Sequence, residues 1–269
     1  MQQPVTKKRA KRLLPVLTAA LLFVLCGWNY RLQTVIYTLE SHEITAPVRI
    51  ACLTDLHSCR YGDGQQQLLN AIDAAAPDLV VLVGDIYDDV LAPDNTDTVL
   101  AHLAARYPCF YVTGNHDVFC GDTVAAHGIT ALNGDALSLS INGQALLLCG
   151  LSDPRESPAF EELLTSLNEQ AQTADAFTVL LSHRPERIDE YLPGSYDLIL
   201  SGHAHGGQWR IPGLLNGLLA PGQGIFPQYA GGQYLLEDTA FVVSRGLAKE
   251  STRIPRLYNP PELVIVDLK

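Results

Sequence analysis

Five short apolar runs, each followed closely by aspartate, asparagine or histidine, constrain this chain of 269 residues more than any other feature. They span residues 50–53, 79–83, 110–112, 179–181 and 198–200. Runs of this length and character are typical of strands buried on both faces of a sheet. If the strands are parallel, their carboxyl ends meet at one edge, where open α/β sheets place their ligands. The sequence therefore predicts an α/β fold with one polar edge.

The polar clusters behind these runs contain the residue types that bind transition metals. Divalent manganese, iron and zinc accept mixed oxygen and imidazole ligands, and a hydrolytic site keeps positions open for water and substrate. A single cluster, such as residues 114–117, could be only a turn with a capping aspartate. The complete ordered set favours metal binding over coincidence. The candidate residues are Asp55, His57, Asp85, Asn115, His116, Asp117, His183, His203 and His205.

The order of the clusters resembles the calcineurin-like metallophosphoesterase superfamily, whose pattern is D-x-H, G-D, G-N-H-[DE], H and G-H-x-H. Every element is present here in that order. The resemblance implies a four-layer α/β/β/α sandwich of two mixed sheets with two divalent metal ions (Mn, Fe or Zn). The implied ligands are Asp55, His57 and His205 for one ion, Asn115, His183 and His203 for the other, and Asp85 as a bridge.

Two residues of the third cluster have implied roles outside metal binding. His116 matches the family's non-ligand histidine, which acts on the transition state and the leaving group. Asp117 would orient that histidine.

Longer stretches narrow the resemblance to the YkuE/YaeI-like membrane-associated bacterial branch. They are residues 206–208, 210–212, 243–247 and 259–263, and the resemblance runs from about Arg49 to the C-terminus.

Three functions compete at this level. The first is a phosphoesterase or phosphodiesterase in which a metal-bridging hydroxide attacks the phosphate ester. The second is a pyrophosphatase acting on a nucleotide-linked lipid, similar to UDP-diacylglucosamine hydrolases. The third is a non-catalytic, metal-stabilised binding module, and the complete ligand set with His116 speaks against it.

The charge of the chain excludes one class of partner. Residues 1–12 hold five of the 18 Lys and Arg, which leaves 13 basic against 29 acidic side chains in the rest. Wrapping a nucleic acid backbone needs a basic surface, so we expect no such binding.

The N-terminus resembles a targeting element. Five basic residues precede an uncharged, largely apolar run over residues 13–30 that ends in Trp28 and Tyr30. A basic flank and interfacial aromatic residues favour a transmembrane signal anchor with the catalytic domain outside the cytoplasm. A cleaved signal peptide stays possible, because 18 residues is near the lower limit for a spanning helix. A lipid substrate would favour a cytoplasmic or membrane-surface site and would challenge that orientation.

The chain divides into three parts on this basis. Residues 1–30 are the basic segment and anchor, residues 31–48 are a connection with a possible first strand, and residues 49–269 are the catalytic domain. Between the metal clusters, apolar residues at helical spacing predict helices near residues 65–75 and 99–103. Asn142-Gly143 predicts a hairpin between strands at 136–141 and 144–149.

Two features of the sequence allow alternatives. Residues 209–232 form either a long loop packed on its own apolar side chains or a wall of the site that contacts an apolar substrate. Cys59 and Cys120 follow two metal clusters and could form a disulfide in an exported domain, with free thiols as the alternative. Cys52, Cys109 and Cys149 lie in strand runs and are expected to be buried small hydrophobes.

Overall fold

A six-stranded sheet carries the first three metal clusters. The computed structural model describes residues 5–118, 120–249 and 254–269. In spatial order the strands of this first sheet are β1 (Gln33–Leu39), β14 (Glu262–Leu268), β2 (Val48–Leu53), β3 (Leu79–Val83), β4 (Cys109–Val112) and β5 (Thr130–Ala131). Strand β14 is antiparallel to β2, and the other neighbouring strands are parallel.

A second six-stranded sheet carries the remaining clusters. Its central strands are parallel, and an antiparallel hairpin lies at each end. In spatial order the strands are β12 (Gly232–Leu236), β13 (Thr239–Val243), β9 (Leu198–Ser201), β8 (Phe177–Ser182), β7 (Gln144–Leu151) and β6 (Asp135–Ile141). Asn142 and Gly143 have φ values of 55° and 87° in the β6–β7 turn, as a two-residue hairpin requires. The predicted hairpin is confirmed.

The two sheets pack face to face. Because successive side chains of a strand point to opposite faces, Ile50 and Cys52 of β2 join Val179 and Leu181 of β8 in the core between the sheets. The alternate residues Ala51 and Leu53 face the opposite side. Burial on both faces explains why these strands are continuous apolar runs.

Helices cover the outer face of each sheet. Leu68 and Ile72 of α2 (Gln66–Ala75) pack on the first sheet with side chains of α3 (Asp94–Ala104) and α4 (Gly121–Ala126). Leu164 and Leu167 of α5 (Phe160–Gln172) pack on the second sheet together with α6 (Ile188–Tyr191). Each buried leucine contributes about 1.5–3 kcal/mol to folding. The expectation of two mixed sheets with helices outside is confirmed.

The N-terminal helix α1 (Val5–Gly27) exposes apolar side chains, including Leu14 and Leu21. Residues 1–4 of the predicted anchor lie outside the described residues. Among the residues that the structure describes, no helix has both the length and the apolar character needed to cross a membrane. The structure therefore gives no support to the transmembrane part of the N-terminal prediction.

The loop over residues 209–232 contains a short antiparallel ribbon of β10 (Leu219–Ala220) and β11 (Gly224–Ile225). Ala220 is buried, but Leu214 and Phe226 are 81% and 68% exposed. Self-packing thus accounts for only some of the apolar residues of this loop.

Candidate active site

The predicted ligands lie where parallel strands of both sheets end. Asp55 and Asp85 each follow the last residue of their strand by two positions, and His183 directly follows β8. Because the carboxyl ends of parallel strands share an edge, residues more than a hundred positions apart meet in one place.

Two groups of side chains at this edge could each hold a metal ion. In the first group, Asp55, His57 and His205 offer ligand atoms that all lie within 4.8 Å of one another. In the second group, Asp85, His183 and His203 do the same. All six residues are buried. We call these the first and second ligand groups.

Asp85 lies between the two groups. Its Oδ2 is 3.1 Å from Nε2 of His183 and 3.6 Å from Nε2 of His57. A carboxylate oxygen that faces both groups has the position a shared ligand needs. Asn115, the remaining predicted ligand, is buried and its Oδ1 has no hydrogen-bond partner within the protein.

Several polar atoms of the site are buried without a hydrogen-bond partner within the protein. Each such atom costs about 1–3 kcal/mol unless a ligand satisfies it. Imidazole nitrogens, a carboxylate oxygen and an amide oxygen together suit zinc, manganese or iron, so the residues fit the metals that the sequence implied. The atoms are Nε2 of His57, Oδ1 of Asn115, both ring nitrogens of His203 and Nδ1 of His205, while Oδ2 of Asp85 and Nε2 of His183 have only each other, at 3.1 Å.

Neighbouring groups fix the orientation of the histidine rings. Nδ1 of His183 donates a hydrogen bond to the carbonyl oxygen of Val83 (2.9 Å), so its Nε2 faces Asp85. Nδ1 of His57 lies 3.1 Å from Oδ2 of Asp88, which leaves its Nε2 toward the site. Such outer partners select the ring nitrogen that is available to a metal.

Burial keeps two of the imidazoles neutral. It lowers the pKa of His203 to about 2, with help from the charges of His183 and Arg184. It also lowers the pKa of His205 well below the usual histidine value, with a contribution from His57. Neutral imidazole is the form that binds a metal, so both residues are ready ligands near pH 7.

His183 and Asp85, unlike His203 and His205, are charged near pH 7. Burial disfavours the charged form of His183, but Asp85 and Asp55 outweigh it and raise its pKa to about 10. Burial likewise opposes ionisation of Asp85, yet the charges of His183 and His57 lower its pKa. An ion that binds His183 must displace its proton, so metal uptake at the second group is coupled to proton release.

The backbone of the site adopts conformations that side chains rarely accept. Asp55, His57, Asp85, His203 and His205 all have φ between 46° and 64°. Left-handed residues of this kind cost roughly 1–3 kcal/mol each and cluster at functional sites.

Two glycines allow the loops to approach each other. A Cβ on Gly84, which has φ of 79°, would lie 2.4 Å from Nδ1 of His183. A Cβ on Gly114 would lie 2.2 Å from Oδ1 of Asp85. Any larger residue at either position would displace a ligand.

His116 lies beside the ligand groups and outside them. Its ring centroid is 5.0 Å from that of His57, and its side chain is 39% exposed. Nδ1 of His116 lies 2.7 Å from Oδ2 of Asp89, and its backbone N–H donates to Oδ1 of Asp85 (2.8 Å). The ring is therefore held by one carboxylate and open to solvent on its other side.

Asp117 does not have the contact that the sequence implied. Its carboxylate accepts hydrogen bonds from the backbone N–H groups of Gly114 (2.6 Å) and Ile86 (2.7 Å) and is fully buried. Both oxygens of Asp117 therefore hold the loops after β3 and β4 together. The ring of His116 is held by Asp89 instead. Sequence reasoning missed Asp88 and Asp89, although two adjacent carboxylates three and four residues after Asp85 were a visible signal.

Arg184 and the loop cysteines also have defined partners. Nε of Arg184 forms an ion pair with Asp153 (2.6 Å), and Nη1 pairs with Glu186 (3.3 Å). The cysteines that the structure describes form no disulfide. Cys59 is buried and its Sγ accepts a hydrogen bond from the backbone N–H of Lys249, while Cys120 is half-buried. The possible disulfide between Cys59 and Cys120 is thus not formed.

Comparison with known proteins places this site in a family. A family model described as calcineurin-like phosphoesterase matches residues 48–207. YpbG of Bacillus subtilis is 29% identical over 88% of this chain and 87% of its own length. Phosphodiesterase YaeI of Escherichia coli is 30% identical over 83% of each chain. The fold resembles the crystal structure of TT1561 of Thermus thermophilus, with a TM-score of 0.52 and 14% identity over 76% of this chain and 92% of that one.

These matches confirm the family that the cluster order indicated. The protein is a metal-dependent phosphoester hydrolase and belongs to the calcineurin-like phosphoesterase family.

Proposed function

We propose that the protein hydrolyses phosphodiesters with two divalent metal ions, manganese, iron or zinc. The observation that carries the proposal is the position of Asp85, whose Oδ2 faces His57 of the first ligand group and His183 of the second. A single carboxylate between two groups is what a two-metal hydrolytic site needs. The similarity to phosphodiesterase YaeI of Escherichia coli supports the diester as substrate.

The residues around the ligand groups have separate tasks. When bound, the two ions would lower the pKa of water and offset the negative charge of the phosphoryl oxygens. His116 would donate a proton from Nε2 to the leaving oxygen, because Asp89 accepts the hydrogen bond from Nδ1. The backbone N–H of His116 holds Asp85 in its orientation, so the acid and the shared ligand are positioned by one short loop.

The second candidate is hydrolysis of a pyrophosphate in a nucleotide-linked lipid. It is favoured by the exposed apolar side chains of Leu214, Ile225 and Phe226 in the loop that follows the last metal cluster. The chemistry at phosphorus would be the same, and only the group that leaves would differ. A non-catalytic binding module is disfavoured because such a module has no need of the His116–Asp89 pair.

A substrate panel tests these candidates. The purified chain, loaded separately with Mn²⁺, Fe²⁺ and Zn²⁺, is assayed on bis-nitrophenyl phosphate, nitrophenyl phosphate and a nucleotide diphosphate-linked lipid. We expect metal-dependent turnover of the diester that is lost in Asp85→Asn. Faster turnover of the lipid would favour the second candidate, and two bound metals without hydrolysis of any ester would favour the binding module.

We also propose that the N-terminal segment attaches the protein to the cell membrane, with the catalytic domain outside the cytoplasm. The support is the basic segment of residues 7–12 and the exposed apolar side chains of α1, such as Leu17 and Leu22. Protease added to cells with a permeable outer surface should digest the domain. Digestion only after lysis of the cells would contradict this orientation.

A further inference from the structure

A cavity of about 490 Å³ lies beside the loop that leaves the last metal cluster. Residues 210–216, Arg245 and Tyr258 line it. None of these residues belongs to either ligand group, and we call this space the arginine cavity. Its composition combines two guanidinium groups with exposed apolar side chains.

The two arginines leave one positive charge without a carboxylate partner. Arg245 is paired with Glu262 at 2.6 Å. Arg210 forms no salt bridge within the described residues, and its guanidinium donates only to neutral oxygens of Gly206 and Asn216. A partly buried cation without a counter-ion is unfavourable, so an anion in the cavity would be stabilised.

The rim of the cavity is apolar. Leu214 is 81% exposed and Ile211 is 36% exposed. Apolar side chains that surround a guanidinium group suit a ligand with a charged head and a hydrocarbon body.

Helix α1 extends the apolar rim. The N–H of Tyr258 donates to the carbonyl oxygen of Gly27 (2.7 Å), and its hydroxyl donates to that of Phe23 (2.7 Å). The rings of Tyr258 and Phe23 are 4.8 Å apart. The helix that leads away from this contact leaves Leu14, Leu17, Leu21, Leu22 and Leu25 more than half exposed.

We infer that the arginine cavity binds the phosphate of an anionic phospholipid, whose acyl chains lie along α1. A bilayer surface offers phosphate and hydrocarbon side by side. The inference deepens the proposed membrane attachment, and it does not depend on the proposed catalytic activity.

The charge of the whole chain makes this inference specific. The formal net charge is −11, so the chain as a whole is repelled by an anionic bilayer. A preference for anionic lipid must therefore come from local basic groups, which are Arg210 of the cavity and the basic segment of residues 7–12. A basic residue near such a surface is worth about 1 kcal/mol, which is about a fivefold change in partition.

Vesicle flotation of the purified full chain tests the inference. One set of vesicles is phosphatidylcholine alone, and the other is equal parts phosphatidylcholine and phosphatidylglycerol. We expect tighter partition to the phosphatidylglycerol vesicles, with about a fivefold share of the preference from Arg210. The preference should weaken as salt is raised, since a surface charge interaction is screened. Equal partition to both sets at low salt would overturn the inference.

Variants separate the headgroup contact from the apolar contact. Arg210→Gln should reduce the preference for phosphatidylglycerol about fivefold, because the basic segment of residues 7–12 remains, and should keep binding to phosphatidylcholine. Arg210→Lys should restore part of the preference. Leu214→Ser should weaken binding to both kinds of vesicle. The matched control is Leu235→Ser, because Leu235 is also exposed (76%) but does not line the cavity. A wild-type preference in Arg210→Gln, or equal losses in the two leucine variants, would contradict the assignment.

Two parallel measurements distinguish other outcomes. If inorganic phosphate raises the Tm of the wild type but not of Arg210→Gln, while vesicles show no preference, the cavity is a free-phosphate site and the lipid inference is wrong. Failure to bind either kind of vesicle would remove the membrane attachment as well. Turnover of a soluble diester is measured on the wild type and on Leu235→Ser, which should match it, so a failure of the proposed hydrolysis would be seen separately.

Discussion

Nδ1 of His116 and Oδ2 of Asp89 lie 2.7 Å apart, and this pair stands next to both ligand groups without belonging to either. The contact fixes which ring nitrogen of His116 can face a substrate. It also separates the residues that hold metal from the residue that would transfer a proton.

Replacing His116 should remove turnover and keep the metals. His116→Ala should bind two ions as the wild type does, because the ring is outside both ligand groups. Loss of proton transfer to the leaving group should lower kcat by about 10²- to 10⁴-fold on esters of poor leaving groups. The loss should be smaller on nitrophenyl esters, which need little protonation. Loss of a metal, or equal impairment on both kinds of ester, would show that the assigned role is wrong.

Asp89 and Asp117 should differ in what their removal changes. Asp89→Asn should lower kcat and leave the Tm nearly unchanged, because Asp89 is exposed and contacts the ring of His116. Asp117→Asn should lower the Tm, because each oxygen of this buried carboxylate accepts a backbone N–H from a different loop. Thermal melts and steady-state kinetics of the two variants test this. The distinction fails if Asp117→Asn melts like the wild type.

Removing the shared carboxylate should affect both ions. Asp85→Asn should weaken binding of both metals, because Oδ2 of Asp85 faces His57 and His183 alike. His57→Ala should mainly affect the first ligand group. Elemental analysis after dialysis measures the metal content of each variant. Two metals per chain in Asp85→Asn, with normal activity, would contradict the bridging position.

A single methyl group should disturb the second ligand group. Gly84→Ala would place a Cβ 2.4 Å from Nδ1 of His183, so we expect loss of metal affinity and of activity. Gly143→Ala is the matched control, because Gly143 has a similar φ of 87° but no atom within 4 Å of its added Cβ. Both variants carry the cost of a left-handed alanine, roughly 1–2 kcal/mol. Only Gly84→Ala should lose metal; equal metal contents would refute the steric explanation.

The ion pair between β2 and β14 should make stability depend on pH. Arg49 and Asp267 are cross-strand partners joined at 2.6 and 3.0 Å, and the hydrogen bond from Arg49 lowers the pKa of Asp267. Because the folded pKa lies below the unfolded value of about 3.9, the stabilisation is present above that pH. It is lost as the pH falls through the folded pKa.

The variant Asp267→Asn checks this dependence. It should lower the free energy of unfolding by roughly 1 kcal/mol at pH 7. Its difference from the wild type should shrink as the pH falls below about 4. Denaturant titrations at several pH values measure both curves, and a constant difference down to about pH 2 would argue against the pair as the cause.

The ends of strands were the most predictable part of this molecule. Asp55 and Asp85 follow continuous apolar runs in the sequence. Because β2 and β3 are parallel, both residues lie at the same edge of the sheet, and the sequence pattern alone was enough to predict this. The role of Asp117 was less predictable, because adjacency in sequence does not show on which side of a tight turn a carboxylate lies. Its bonds to Gly114 and Ile86 depend on how two loops pack against each other.

Other features depend on long-range packing for the same reason. The distance between Cys59 and Cys120 depends on loop paths, and a sequence pattern carries no such geometry. The arginine cavity forms because Arg245 and Tyr258 reach the loop at residues 210–216 from distant parts of the chain. The apolar run over residues 13–30 shows that this segment has no charged side chains, but the run does not show whether lipid or protein contacts it.

The core between the sheets has a mechanical consequence. The first ligand group joins Asp55 and His57 of the first sheet to His205 of the second, and the second group likewise takes Asp85 from one sheet and His183 from the other. Neither sheet alone holds a complete set. The relative sliding of the two sheets, governed by side chains such as Val81 and Leu181 deep between them, therefore sets the alignment of the whole centre. A change of side-chain volume at such a position, far from any reacting atom, would shift one half of each ligand group relative to the other. The expected result is weaker metal binding and lower activity.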